Sequence, residues 1–347
     1  MSQMTLQMPS SRHREAQPGA QPEAPRRPPA ASSLLLAALI LTAASFPHAL
    51  AQSGWWEHEQ QDEQEQQQYN FVLLHAPFPG VDQTLGFGVN DFGTVVGVYH
   101  DAAGPHGFVL DDGAYTPINV TLNGVVQQNT QAFGINQRRD IVGSYGPTGT
   151  LHGFVLEDGV FTTLDFPGAN ATQTEARGIN DRRQIVGTYH DAAGSHGFLF
   201  EQEGREHQGG DEDSRQSEAK HSGQYTAIDV PFTGASNTTA LGINDRGDIV
   251  GAYVSSDARI HGFVRRHGEF QTLDVPFRGV VETQAYGINN RREIVGTGFL
   301  LDHKTFTPLA NLNPSAANAV ATGINDRGEI VGITLGSPEV GFQLIPQ

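Results

Sequence analysis

The chain has 347 residues, 17% of them charged, a formal net charge of −17 and no cysteine. So acidic a surface repels phosphate, which argues against nucleic acid or anionic lipid as a partner. Without thiols there can be no disulfide staples, cysteine metal centres or thiol catalysis, so stability has to come from packed apolar faces.

Residues 1–51 are predicted to be a signal peptide. Arg12, Arg14, Arg26 and Arg27 precede an apolar run from Leu34 to Ala44 and then Ala49-Leu50-Ala51, the order of a secretory signal. The run is shorter than the roughly 20 residues of a membrane span, so an exported domain, extracellular or periplasmic, is expected, with no span in the mature chain. An uncleaved anchor is the alternative. Arg26-Arg27 is followed by Pro28-Pro29, which departs from the twin-arginine pattern and favours ordinary secretion. Residues 52–68, mostly Glu, Gln, Asp and His, have too little apolar surface to fold and are predicted to be a disordered linker. Without residues 1–51 the chain carries 17 positive and 36 negative side chains, a net −19.

From residue 69 onward a single phrase recurs six times. It is Gly-Ile-Asn, or Gly-Val-Asn in the first copy, with its asparagine at Asn90, Asn136, Asn180, Asn244, Asn289 and Asn325. The spacings of 46, 44, 64, 45 and 36 centre near 45, the period of stacked supersecondary units and most often of propeller blades. In the fourth copy, short β-rich runs are separated by Asp245-Arg246-Gly247, a loop, and His267-Gly268. An X-Gly pair supplies the positive φ of a tight hairpin, so each unit is predicted to be a four-stranded antiparallel meander. The long spacing comes from an acidic insertion, Glu201 to Gly223, predicted to be a disordered loop at a hairpin tip within the third unit.

One meander cannot bury both faces, so the units must stack in a ring or a line. Phe71 to Gly80 align without a gap to Tyr225 to Gly234, so they look like an orphan fourth strand, whereas the sixth unit stops after its third strand at Gly341-Phe342-Gln343-Leu344. The expected fold is all-β. It is a six-bladed β-propeller-like ring over residues 69–347, in which Tyr69 to Pro77 pairs with Gly341 to Ile345 and completes the last blade, burying Phe71 or Leu73.

The phrase Gly-Ile-Asn-Asp-x-Gly-x-Ile-Val-Gly, with His106-Gly107-Phe108, His152-Gly153-Phe154, His196-Gly197-Phe198 and His261-Gly262-Phe263 downstream, resembles the bacterial extracellular repeat family named for its His-Ala-Phe tripeptide (HAF repeat). Gly replaces the middle Ala here, and copies five and six have Thr297 and Val340 in place of His. The resemblance implies export and repeated β units, but no particular activity.

Three constellations could carry chemistry. His100, Asp101 and His106, repeated as His190, Asp191 and His196, could ligate a divalent ion; the simpler reading is a turn, because the other copies lack the set. Arg138, Arg139, Arg182, Arg183, Arg246, Arg291, Arg292 and Arg327 follow the Gly-Ile-Asn phrases, and in a propeller they would circle one face as a possible anion-binding ring; the simpler reading is solvated turn tips. Arg139, Arg183 and Arg292 occupy the turn position that is glycine in the other three copies, at about 1 kcal/mol each if the left-handed backbone is kept, so replacing them with Gly should stabilise the fold slightly. The Asn-Asp turns lack the ligand spacing of a dedicated calcium loop.

No nucleophile elbow, phosphate loop or cofactor motif is present, so no catalytic residue and no cofactor is assigned. The expected function is an exported binding or structural module for an extracellular or periplasmic ligand, polysaccharide or protein. The alternative is a secreted or periplasmic propeller enzyme acting on glycans.

Overall fold

The computed structural model describes residues 68–168, 170–202 and 223–347. The signal, nearly all of the linker and most of the acidic insertion lie outside them. Six four-stranded antiparallel sheets form a six-bladed propeller, and the fold is all-β. Blade one comprises Gln83–Val89, Val95–Asp101, Gly104–Asp111 and Ala114–Ile118; blade two, Gln131–Ile135, Ile141–Tyr145, His152–Glu157 and Val160–Leu164. Blade three comprises Gln173–Ile179, Gln184–Asp191, Gly194–Gln202 and Gly223–Ile228, with the acidic insertion between its paired ends Gln202 and Gly223. Blade four comprises Ser236–Ile243, Ile249–Val254, Ile260–Arg266 and Glu269–Leu273; blade five, Ala285–Ile288, Ile294–Gly296, Phe299–Asp302 and Thr305–Pro308.

Blade six takes three strands from the end of the chain, Ala319–Ile324, Ile330–Thr334 and Val340–Pro346, and its fourth from Tyr69–Leu73. The closing register runs from Tyr69 opposite Pro346 to Leu73 opposite Phe342, and Leu74 N continues it onto Gly341 O at 2.9 Å. Of the two side chains expected to be buried there, Phe71 stacks on Phe342 at 5.3 Å, whereas Leu73 is 58% exposed on the outer edge.

The repeated phrase is explained by packing. The third strand of every blade contributes one phenylalanine, Phe108, Phe154, Phe198, Phe263, Phe299 or Phe342, and all six are fully buried. Each ring lies across the glycine of the Val-Val-Gly or Ile-Val-Gly run on the second strand. A Cβ on Gly97 would sit 2.0 Å from Leu85 O and 2.8 Å from the Phe108 ring, and on Gly251 it would sit 1.9 Å from Thr239 O. The core lies between the blades, as at the junction where Val142 and Val155 of blade two meet Ile185 and Phe198 of blade three.

Among the described residues, three small elements lie outside the blades, among them a 3-10 turn, Pro314–Ala316, between blades five and six. The hairpin Thr121–Leu122 with Val125–Val126 sits in the link between blades one and two, and a helical turn, Leu309–Leu312, lies in the link between blades five and six. No helix among the described residues is long and apolar enough to cross a membrane.

Candidate functional site

The histidines of the His-Gly-Phe phrase are tied into the frame. His106 stacks on Tyr99 at 5.1 Å, with Nδ1 2.9 Å from Asn119 Oδ1 and Nε2 3.3 Å from Asp101 Oδ1. His196 repeats this with Tyr189 at 5.0 Å, Asp229 at 3.1 Å and Asp191 at 3.2 Å. His152 and His261 reach Asp165 and Asp274 in the same way. Both ring nitrogens of His106 and His196 are therefore engaged, linking the third strand to the segment that leads into the next blade. Burial raises the Asp101 carboxyl, but the Ala103 N–H and the His106 ring outweigh it and hold it below its ordinary value. Burial pushes the His100 and His190 imidazoles down. Ser195 Oγ lies 3.0 Å from His190 Nδ1, at the position held by Pro105 in blade one. Among the described residues, no group of three or more His, Asp or Glu is placed to hold a metal ion.

The turn arginines circle one face, but five of the eight sit in ion pairs. Arg139, Arg183 and Arg292 keep the left-handed backbone of the glycine turns, with φ of 67°, 60° and 69°. Each reaches back one blade: Arg139 to Asp111 at 2.8 Å, Arg183 to Asp140 at 3.1 Å and Glu157 at 3.3 Å, and Arg292 to Asp248 at 2.8 Å. Asp140 and Asp248 are only 3% and 1% exposed, so two of these arginines neutralise buried acids across a blade junction. Replacement of those two by Gly is therefore no longer expected to stabilise. Arg291 pairs with Glu293 at 2.7 Å and Arg327 with Glu329 at 2.9 Å, while Arg246 Nε donates to Asn290 O at 3.3 Å. Arg138 and Arg182 are exposed.

The Gly-Ile-Asn phrases surround the axis. Each asparagine donates through Nδ2 to the backbone oxygen of the corresponding asparagine one blade on, and the series closes when Asn325 reaches Asn90 O at 2.8 Å. Its Oδ1 folds the turn, as when Asn244 accepts Arg246 N and Asp248 N at 3.0 and 2.9 Å. A second closed series joins the residue after each asparagine. Asp91 N donates to the Gln137 side chain, Gln137 N to Asp181, Asp181 N to Asp245, Asp245 N to Asn290, Asn290 N to Asp326 and Asp326 N to Asp91, at 2.7–3.0 Å.

An axial cavity of about 110 Å³ lies inside these two rings. At its outer end stand Asp91, Gln137, Asp181, Asp245, Asn290 and Asp326, and its shaft is Val89 and the five isoleucines of the other phrases. Its inner end is made by the residue just before each phrase: Phe87, Phe133, Arg177, Leu241, Tyr286 and Thr322. In all six blades the first strand shifts register at this point, as between Gly86 and Gly88 in blade one. Such a bulge leaves one residue outside the ladder and re-aims its side chain.

Arg177 lies 4.1 Å from the centre of the Phe133 ring and its Nη2 pairs with Glu175, which is 8% exposed. Tyr286 donates to Gln284 Oε1 at 2.9 Å, and burial pushes its hydroxyl pKa up. At the outer end, burial raises the Asp91 and Asp181 carboxyls, with neighbouring carboxylates adding to the shift. None of these inner residues was among the sequence candidates. The available signal was one variable column immediately before three constant ones.

No protein-family model matches the chain, and no curated protein matches it. Solved structures that resemble it include virginiamycin B lyase from Staphylococcus aureus, 12% identical with a TM-score of 0.37 over 78% of this chain and 76% of that one. A mutant of the Aleuria aurantia lectin in complex with Fucalpha1-6GlcNAc is 12% identical with a TM-score of 0.43, covering 76% and 95%. An aldose sugar dehydrogenase from Streptomyces coelicolor is 10% identical with a TM-score of 0.39, covering 81% and 99%. Likeness at this level carries no argument about the site, and the propeller assignment rests on the six sheets themselves.

Proposed function

We propose that the protein is an exported binding module, akin to the His-Ala-Phe repeat proteins, that takes a small ligand into its axial cavity. Export is supported by the signal-like order of residues 1–51. The observation that carries the binding reading is the bulge position. Glycine, isoleucine or valine, and asparagine are held constant through six copies, while the side chain released into the cavity is Phe, Phe, Arg, Leu, Tyr or Thr. Three of these side chains also bond the frame, Arg177 to Glu175, Tyr286 to Gln284 and Thr322 to Gly86 O, but each does so with a different group. An asymmetric lining inside a symmetric frame is what recognition of an asymmetric molecule needs.

The glycan-enzyme alternative has less support. The axial cavity holds no residue that the sequence marks as catalytic. The Ser195–His190 pair is not part of the cavity lining.

The test uses Thr322→Phe, which fills the cavity with a side chain already present at the equivalent position in blades one and two. Wild type and variant are screened by thermal shift against culture-extract metabolites, peptides and glycan fragments. A ligand held by the wild type and lost from a folded variant is expected. A ligand held equally by both would remove the cavity from the function.

A further inference from the structure

Blade four reverses the charge of one repeated position. One residue beyond the third-strand partner of the Val or Ile that opens the second-strand run, the blades hold in order Asp111, Glu157, Glu201, Arg266, Asp302 and Ile345. What the acid does is visible in blade two, where Glu157 and Asp140 both pair with Arg183 of the next blade, at 3.3 and 3.1 Å. The same junction between blades four and five holds two guanidinium groups and one carboxylate. Arg292 Nε lies 2.8 Å and Arg266 Nε 3.9 Å from the same Asp248 oxygen. Asp248 balances one of these cations, so the other is in excess. Arg266 makes no hydrogen bond among the described residues, and Arg292 makes only the one to Asp248. Neighbouring acids do not make up the difference: Glu293 pairs with Arg291, and Glu269, opposite Arg266 in register, is exposed and forms no ion pair with it. Arg246, bonded to Asn290 O across the same junction, adds a third cation.

We propose that this junction binds the carboxylate of a small external molecule, seated between Arg266 and Arg292. The site is separate from the axial cavity, whose lining includes none of Asp248, Arg266 and Arg292. The incoming carboxylate takes the place that Glu157 fills in blade two, so acids and guanidinium groups alternate across the junction again. Both arginines are open to it, with side chains 36% and 40% exposed, while the acid they share is 1% exposed. A guanidinium offers five N–H donors in a planar fork that matches the two oxygens of a carboxylate, and these two groups have used at most one each. The net charge of −17 opposes an extended polyanion approaching over the whole surface, so the site suits a single carboxylate.

Titration of the full chain at pH 7 and constant ionic strength with glucuronate, glucose, propanoate and sulfate, followed through the NMR signals of the arginine Nε–H groups, tests the assignment. Glucuronate should move the Arg266 and Arg292 signals saturably and leave that of Arg183, already held by two acids, where it is; glucose should move none of them. Propanoate as strong as glucuronate shows that the carboxylate alone is recognised, and propanoate about tenfold weaker shows that the sugar adds contacts; either result supports the site. Arg266→Glu restores the blade-two arrangement. It should abolish the response at Arg292 and raise Tm by about 2 °C, the scale of one partly exposed ion pair in a domain of this size. Arg266→Gln, which removes the charge and adds none, should weaken glucuronate binding about tenfold. No saturable shift, an equal shift at Arg183, sulfate bound more tightly than either carboxylate, or a lowered Tm in Arg266→Glu would overturn the proposal.

Discussion

Within each innermost strand, adjacent residues follow opposite rules. Gly242, Ile243 and Asn244 repeat in five of the six copies without change, yet Leu241 just before them is matched by Phe87, Phe133, Arg177, Tyr286 and Thr322. The difference is one of partners. A Cβ on Gly242 would lie 2.6 Å from Tyr286 O of the next blade, and Asn244 bonds both its own turn and the next blade's backbone. Leu241 stands on a bulge, and its side chain lines the cavity. Uniformity therefore marks where backbone meets backbone, and variety marks where a side chain is released from that duty.

The sharpest way to break the comparison is at the frame glycines. Gly251→Ala, with its Cβ 1.9 Å from Thr239 O and 2.8 Å from the Phe263 ring, should cost more than about 4 kcal/mol in urea unfolding or yield insoluble protein. Leu241→Met, at the bulge, should stay within about 1.5 kcal/mol. Comparable losses at the two positions would erase the distinction.

Asn244→Ala comes next. It removes two acceptor and two donor contacts from a site 3% exposed and strands the N–H groups of Arg246 and Asp248, so a loss of about 3 kcal/mol is expected by chemical denaturation.

A smaller effect separates two arginines in the same strained turn position. Arg292→Gly relieves the backbone but leaves Asp248, 1% exposed, without its closest cation, and should destabilise by about 1–3 kcal/mol. Arg139→Gly gives up a pair whose partners are 55% and 33% exposed, so relief and loss should cancel to within about 0.5 kcal/mol. Equal thermal shifts in the two variants would show that burial of the acid does not decide the sign.

The smallest effect is at the mouth. Asp91 and Asp181 have raised pKa values in the folded state and so hold protons more tightly folded than unfolded; their stabilising contribution is complete below the ordinary carboxylate value and is lost as pH rises through the raised one. Asp91→Asn with Asp181→Asn should therefore raise stability at pH 7 by less than about 1 kcal/mol, given solvent screening, and the gain should shrink toward pH 4. A gain that grows on acidification would contradict the penalty that burial, with the neighbouring carboxylates, places on the two charges.

Much of the frame was legible because repetition exposes it. Six phrases gave six blades, the X-Gly pairs gave hairpins, and the alignment of Phe71 to Gly80 with Tyr225 to Gly234 identified the closing strand. The Asn123-Gly124 turn, with both φ values positive at 50° and 76°, carries a hairpin signal too, but it lies between units, where the repeat does not point to it. The site was much less legible. A bulge is a property of pairing register, so nothing in the first strand alone shows that Arg177 leaves the ladder. The partners of Arg183 and Arg292 are acids 43 and 44 residues earlier, adjacent only once the blades stand side by side. The arginine positions could be read, but what they hold could not.

Because blade six is assembled from both ends of the domain, those ends touch: Gln347 N donates to Gln68 O at 2.9 Å. The order in which the blades are encoded is therefore separable from the order in which they pack. A circular permutant joining residue 347 to residue 68 through a short glycine linker, and opened between Gln202 and Gly223, would begin in the middle of blade three and still contain every strand of the ring. The seam would move from blade six to blade three, where the chain already tolerates an insertion at a hairpin tip, so a closed propeller of this kind has a position for its termini that is a matter of gene arrangement more than of architecture.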